Sequence, residues 1–344
     1  MMTTTLPAGG QPAASPPAAS PLLEFEALTV EYRGPRRKPF RAVDNLSFSI
    51  RRGETVGLVG ESGSGKTTIG SAAVGLVPAT RGTIRFDGED ITRKSAAGRR
   101  QLSARLQVIF QDPYSSLNPL RTVGQTLVEP LLAHKRMSRK DAAAAVSAML
   151  QRVGLDPGAA SRYPGAFSGG QRQRIAIARA LMVSPDLVIC DEAVSALDLS
   201  VQAQVLNLLL GLQEEYQISY LFISHDLSVV RHMSDRVVVL YRGQMMEIGD
   251  SASVHDHPSH PYTQALLSAS PIPSPRGQAR QRERLKLALR PTRPTATTAF
   301  CRFASRCPYA TEICEQQAPP LTPGPTGADV ACHHVKEALT RATM

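Results

Sequence analysis

Gly60-Glu61-Ser62-Gly63-Ser64-Gly65-Lys66-Thr67 lies between an apolar run, Thr55-Val56-Gly57-Leu58-Val59, and a helical pattern from Ile69 to Leu76. A buried strand that passes into a helix through a glycine loop is the setting in which G-x-x-x-x-G-K-[ST] binds phosphate. Gly60, Gly63 and Gly65 reach backbone conformations closed to other residues, so successive N–H groups can turn inward around an anion. The helix behind the loop adds the positive end of its dipole. Lys66 is placed to reach the β- and γ-phosphates of a nucleotide, and the Thr67 hydroxyl to ligate Mg²⁺. Thr68, next in the chain, extends the run of residues assigned to the nucleotide.

Working outward, 344 residues are enough for a substantial core and about two domains. The 42% hydrophobic and 20% charged content is that of a globular chain, not a disordered one. No run of 18 apolar residues is present, so no transmembrane helix is expected. Residues 1–21 are rich in Thr, Ala, Pro and Gly, without a basic start or an apolar stretch. They read as a disordered leader and not as a secretory signal. A cytosolic chain is therefore expected, held at any membrane by integral partners.

The net charge of +10 is concentrated in three runs, Arg33 to Arg41, Arg93 to Arg105 and Arg276 to Arg293. Such runs suit either nucleic acid or anionic headgroups, or they are solvated loops and a linker. None interleaves aromatic residues as a base-stacking surface would.

Leu22 to Tyr32 and Val43 to Ile50 read as strands, as do Gly82 to Gly88 and Leu106 to Phe110. From there to about Pro164 the pattern is helical, clearest over Ala142 to Val153. Phe167-Ser168-Gly169-Gly170-Gln171 then opens an Ala/Ile-rich helix through Leu181. Leu187-Val188-Ile189-Cys190-Asp191-Glu192 is an apolar strand ending in two carboxylates. Asp191 fits the Mg²⁺-holding acid at a strand end, and Glu192 the general base that orients water toward the γ-phosphate. A helix from Val201 to Gln213, a strand from Ser219 to Ile223 and two more strands near Val237 and Met245 follow. Residues 270–299 read as a Pro/Arg-rich linker, and 300–344 as a small segment carrying four of the five cysteines.

These motifs, in this order, resemble the ABC-type ATPases over about Leu22 to Leu267. Ser168-Gly169-Gly170-Gln171 resembles the family signature, Gln111 its loop glutamine, Ser195 to Asp198 the segment after the catalytic carboxylate, and His225 its switch histidine. Phe167 stands where Leu is usual. The resemblance implies an α/β P-loop ATPase core, residues 22–269, with an antiparallel β subdomain and a helical subdomain at about 112–165. It implies ATP and Mg²⁺ as ligands, Tyr32 stacked on adenine, Gln111 beside Thr67 and Asp191 at the Mg²⁺, and catalysis by Glu192 with Lys66, Gln111 and His225. It also implies that Ser168 to Gln171 cap a nucleotide held by a second subunit, so ATP closes a dimer.

The interval from Lys66 to Ser168 lacks sustained heptads, unlike the DNA-structural ABC proteins. Gln111 to Pro119, Asp191 to Asp198 and His260-Pro261-Tyr262-Thr263 are similar to the dipeptide/oligopeptide/nickel importer ATPases, and more to the second of their two paired ATPases. The implied partners are a second ATPase subunit in a heterodimer, two transmembrane permeases and an extracytoplasmic substrate-binding protein. The implied place is peripheral, on the cytoplasmic face of the membrane. Peptide is the default cargo, with nickel, glutathione or another small solute as alternatives. The competing reading is a soluble ABC-type ATPase acting on nucleic acid.

Cys301, Cys307, Cys314 and Cys332 point to a metal, since cytosolic chains seldom use disulfides. Zinc sites usually show a C-x₂₋₄-C pair, absent here, whereas iron–sulfur clusters tolerate irregular spacing. Cys-Arg-Phe-Ala-Ser-Arg-Cys-Pro resembles the C-terminal segment of the peptide-importer ATPases, which implies a [4Fe–4S] cluster; zinc and free thiols stay open. His333 and His334 are substitute ligands or solvent-exposed, and Cys190 is a small core residue. With a linker between them, the cysteine segment is expected to have no route into ATP chemistry.

Overall fold

The computed structural model describes residues 20–33, 39–112, 116–134, 137–269 and 300–342. Nearly all of the leader, the linker, and with it the third basic run lie outside the described residues. The strands are β1 (Leu23–Arg33), β2 (Pro39–Ile50), β3 (Thr55–Val59), β4 (Arg81–Phe86), β5 (Glu89–Asp90) and β6 (Leu106–Ile109) in the first part of the chain. Then come β7 (Leu187–Asp191), β8 (Ser219–Ser224), β9 (Arg236–Tyr241), β10 (Gln244–Asp250), β11 (Thr322–Pro323) and β12 (Asp329–Val330). The helices are α1 (Lys66–Val74), α2 (Ala96–Leu102), α3 (Val123–Ala133), α4 (Arg139–Arg152), α5 (Gly169–Leu181) and α6 (Leu199–Tyr216). Five more follow: α7 (Leu227–Met233), α8 (Ser251–Asp256), α9 (Pro261–Ala269), α10 (Glu312–Gln316) and α11 (Val335–Ala342).

β3, β7 and β8 are short, continuous apolar runs, the composition that parallel strands buried on both faces require. They lie side by side inside an eight-stranded sheet of order β11-β12-β10-β9-β3-β8-β7-β6. The five strands from β9 to β6 are mutually parallel, so their carboxyl ends share one edge. The phosphate loop follows β3, Gln111 follows β6, Asp191 ends β7 and His225 follows β8, so strand polarity alone brings these residues to one edge.

The second sheet is antiparallel, ordered β2-β1-β4-β5. Leu23, Phe25, Leu28 and Val30 of β1 are all buried, although Phe25 and Leu28 are out of alternation. A register break at Ala27, whose φ is 49°, restores the inward face. Between β6 and α5 lie α3 and α4. They are capped by Thr122 and Ser138 and bury Leu127, Leu131, Val146 and Leu150 in the core that also holds Phe167 and Ile175.

Among the described residues of the first two basic runs, several charges are used inside the chain. Arg41 lies 3.0 Å from Glu31 and 2.8 Å from Asp44, Arg105 lies 2.7 Å from Asp87, and the Arg99 guanidinium donates to the Ala73 carbonyl at 2.9 Å. One expectation is corrected: the cysteine segment is not a separate body. β12 pairs with β10, Glu247 opposite Val330 and Ile248 opposite Asp329, and so extends the central sheet. Cys301, Phe303, Cys307 and Cys314 join the same apolar core as Val59 and Tyr241. A segment this short buries too little surface to stand alone and is stabilised by docking on a larger core.

Candidate nucleotide-binding site

The phosphate loop leaves a fully buried strand and has no room for side chains at Gly60 and Gly65. Gly60 has φ 155°, and a Cβ there would stand 2.2 Å from the Leu240 carbonyl oxygen. Gly65, the N-cap of α1, has φ 101°, and a Cβ there would meet the Ala42 carbonyl at 2.4 Å. The loop therefore wraps with its backbone, and the first turn of α1 presents N–H groups that no helix carbonyl can take. Lys66 is buried, and its ammonium donates to the carbonyls of Gly60 at 2.8 Å and Glu61 at 3.1 Å. Burial pushes its pKa down, opposed by the carboxylates of Glu192 and Asp191. The Ser64 hydroxyl is buried with no hydrogen-bond partner among the described residues. A buried cation, free N–H groups and an unpartnered hydroxyl fit the phosphates of a nucleotide.

Thr67 Oγ1 donates to Asp191 Oδ1 at 3.0 Å, which puts the two expected Mg²⁺ ligands in contact. Burial pushes the Asp191 pKa up, and the Thr67 hydrogen bond works against it. A hydroxyl and a carboxylate facing each other form the oxygen donor set that Mg²⁺ prefers, so the residues fit the ion.

Glu192 adopts φ 49°, a left-handed conformation costly for a residue with a side chain. It is held by its N–H donating to Ile223 O at 3.0 Å and by Ser195, whose N–H and hydroxyl donate to the Glu192 carbonyl at 3.1 and 2.9 Å. Its carboxylate receives the Gln111 amide N–H on Oε2 at 3.0 Å, with His225 Nδ1 3.4 Å from the same oxygen. Three expected catalytic residues from three strand ends thus meet at one carboxylate oxygen. Gln111 is placed on Glu192 by its amide nitrogen.

Tyr32 is 40% exposed, and its hydroxyl lies 3.4 Å from Thr68 Oγ1. Ser168 and Gln171 form a capping box at the start of α5. The Gln171 N–H donates to Ser168 Oγ, and the Ser168 N–H to the Gln171 side-chain oxygen. Gly170 lets α5 approach α6, since a Cβ there would stand 2.3 Å from Val201 Cγ1. Ser168 is exposed and its hydrogen bonds close on its own first turn, leaving the helix start open to another molecule.

Two residues lie in runs that resemble the importer ATPases, but nothing in those runs ties them to the phosphate loop. The Glu61 N–H donates to the Tyr262 hydroxyl at 2.9 Å, and Arg306 Nη1 reaches both Glu61 carboxylate oxygens at 2.9 Å. Their separations of 201 and 245 positions put them beyond any pattern of spacing. Arg306 belongs to the cysteine segment, and its contact with Glu61 gives that segment the route to the nucleotide site that was not expected.

Cys301, Cys307 and Cys314 are buried and Cys332 is half-buried. Burial pushes the thiol of Cys307 up to about 12 and that of Cys332 up to about 11, and raises that of Cys301; neighbouring thiols push each the same way. Among the described residues no group of three or more His, Cys, Asp or Glu side chains could hold a metal ion. The expected cluster and its zinc alternative therefore have no preformed cage, since zinc alone would draw sulfurs to about 2.3 Å from one point. His333 and His334 bond instead to Gln317 O and Thr311 Oγ1. Cys190 is a fully buried core residue of β7.

Residues 43–195 match a family profile described as ABC transporter. Residues 246–314 match a second, described as oligopeptide/dipeptide transporter, C-terminal region. The chain is 49% identical over 294 residues to the oligopeptide transport ATP-binding protein AppF of Bacillus subtilis, covering 85% of this chain and 89% of that one. It is 48% identical over 285 residues to OppF of Salmonella typhimurium, an oligopeptide transport ATP-binding protein, covering 83% and 85%. Among solved structures it is similar to a dimeric ATP-binding cassette in a post-hydrolysis state with ADP and Pi. That match has a TM-score of 0.61 and 27% identity, and covers 67% of this chain and 98% of that one. It is also similar to cbiO1 of Clostridium perfringens, part of an ABC transporter complex, with a TM-score of 0.62 and 26% identity over 69% and 91% of the two chains.

Proposed function

The chain belongs to the ABC transporter ATPases, in the group that carries the oligopeptide/dipeptide transporter C-terminal region, and from that membership we propose that it is the ATP-hydrolysing motor of a peptide importer. The observation that carries the reading is the meeting of Lys66, Thr67–Asp191 and Gln111–Glu192–His225 at one sheet edge. Lys66 and the loop N–H groups bind and orient the phosphates. Mg²⁺ held by Thr67 and Asp191 would neutralise charge that builds on the phosphates. Glu192 Oε2 accepts a proton from the attacking water, and Gln111 and His225 fix where that oxygen points. Ser168 to Gln171 present the start of α5 to a nucleotide on a second subunit, so hydrolysis opens a closed pair.

Two permeases, a second ATPase and a substrate-binding protein are the proposed partners, and the cytoplasmic face of the membrane the proposed place. No helix among the described residues is long and apolar enough to cross a membrane. The nucleic-acid reading is set aside, because the second profile belongs to peptide transporters. Cys301, Cys307 and Cys314 lie in one buried core and Cys332 is half-buried, and from that clustering we also propose an iron–sulfur cluster, which the four thiols would hold only after drawing together. Iron and sulfide assays on anaerobically purified chain test it, and zinc alone rejects it.

The importer reading is tested by deleting the gene and following uptake of a labelled tripeptide. Wild-type chain restores uptake and Lys66→Ala does not. Full uptake with Lys66→Ala, or ATPase stimulation by duplex DNA in place of permease co-purification, overturns it.

A further inference from the structure

Glu61 is an acid in a loop whose task is to receive a polyanion. Left free, its carboxylate would repel the phosphates at close range. Arg306 Nη1 lies 2.9 Å from both of its oxygens. The guanidinium is itself fixed, 5.7 Å from the Tyr241 ring centroid and 5.8 Å from that of Phe303, with Nη1 3.4 Å from the Tyr241 hydroxyl. From the other side the Tyr262 hydroxyl accepts the Glu61 N–H at 2.9 Å. Tyr262 is fully buried, its ring 4.7 Å from Tyr241 and 5.4 Å from Phe303.

Resting on the nucleotide-site reading above, we propose that Arg306 and Tyr262 are positioning residues for the phosphate loop. By neutralising the Glu61 side chain and pinning its N–H, they set the loop's affinity for the nucleotide. The Glu61 carbonyl is also an acceptor of the Lys66 ammonium, at 3.1 Å, so a shift of this residue moves the partner of the loop lysine. The segment that supplies Arg306 is clamped a second time, by Arg302 on Asp44 at 2.7 Å and on the Arg242 carbonyl. The next residue, Gly243, donates its N–H to Ser64 O of the loop at 2.8 Å. One aromatic cluster, built from β9, α9 and the C-terminal segment, therefore supports the loop at Glu61.

A role confined to anchoring the C-terminal segment would change stability and leave nucleotide affinity alone. The test is fluorescence titration of the purified full-length chain with a fluorescent ATP analogue and Mg²⁺, each variant checked by its melting temperature. Arg306→Gln keeps the stem over the rings and removes the charge. It should weaken binding about threefold to tenfold, between the effects of exposed and desolvated ion pairs. Adding Glu61→Gln to Arg306→Gln should restore affinity to within about twofold, because the uncompensated acid is gone. Tyr262→Phe keeps the ring, removes the acceptor of the Glu61 N–H, and should weaken binding about twofold to tenfold. Wild-type affinity in both Arg306→Gln and Tyr262→Phe overturns the inference, as does a weakened Arg306→Gln that Glu61→Gln fails to rescue. Lys66→Ala separates the two readings. If wild-type chain binds no better than Lys66→Ala, the nucleotide-site reading fails; if it does, only the Arg306 and Tyr262 results decide.

Discussion

The phosphate loop and the segment from Cys301 to Cys332 meet at Glu61, and they reach it by opposite routes. The loop is specified locally: a buried strand, glycines at two turns where a side chain would strike a carbonyl, and a helix start. The C-terminal segment has little regular structure, and its place comes from what it packs on, Phe303 among Tyr241, Tyr262 and His260. The contrast teaches that a motif's conformation is written beside it, whereas the supports that hold it in register are written far away.

The largest effect should come from the remote support. Phe303 is 1% exposed, and Phe303→Ala should cost about 3–5 kcal/mol of stability, read by urea unfolding of the full chain. A loss under about 1 kcal/mol would mean that the segment only touches the core, and the contrast would collapse.

The next effect belongs to the locally specified side. Glu192→Gln keeps the shape and the Gln111 contact but removes the proton acceptor. Turnover should fall at least ~10²-fold, about 2.7 kcal/mol of barrier, with ATP binding and melting temperature close to wild type. Near-normal hydrolysis by a homogeneous sample would remove Glu192 from the mechanism. Together the two substitutions separate the sides: Phe303→Ala lowers stability first, and Glu192→Gln lowers only turnover.

The same division explains what the sequence made legible. The parallel strands announced themselves as unbroken apolar runs, and their shared polarity brought Lys66, Gln111, Asp191, Glu192 and His225 to one edge. Ser168 and Gln171 are spaced as a capping box, a relation visible within four residues. The β1 register break at Ala27 was not legible, because it depends on pairing with β2 and β4. The contact of Arg306 was illegible for the same reason: its run stands out for its cysteines, and its partner lies 245 positions away. The cysteines were legible by count but not by placement: the sequence suggested a self-contained segment, whereas three of the four thiols lie buried in the shared core.

The smallest of the expected effects tests whether the aromatic support is as dry as its geometry implies. His260 is buried, its Nδ1 accepts the Tyr262 N–H at 2.9 Å, and burial drives its pKa down to about 3. The unfolded imidazole titrates near its ordinary value of about 6.5. Between those two values the unfolded chain binds a proton that the folded chain refuses, so stability falls as pH drops from about 6.5 toward 3 and is fully present above that window. At about 1.4 kcal/mol per pH unit, the loss reaches about 2 kcal/mol by pH 5. Glu247 acts in the opposite sense: it accepts the Ser259 and His260 N–H groups at 2.8 and 3.0 Å, and burial raises its pKa. The informative quantity is therefore the difference between wild type and His260→Asn, which keeps an acceptor near Nδ1 and cannot charge. Urea unfolding at pH 7.5, 6.5 and 5 should find the variant's stability falling less steeply than wild type's between the last two. Parallel curves would mean that the folded imidazole takes up the proton and that water reaches the cluster behind the phosphate loop.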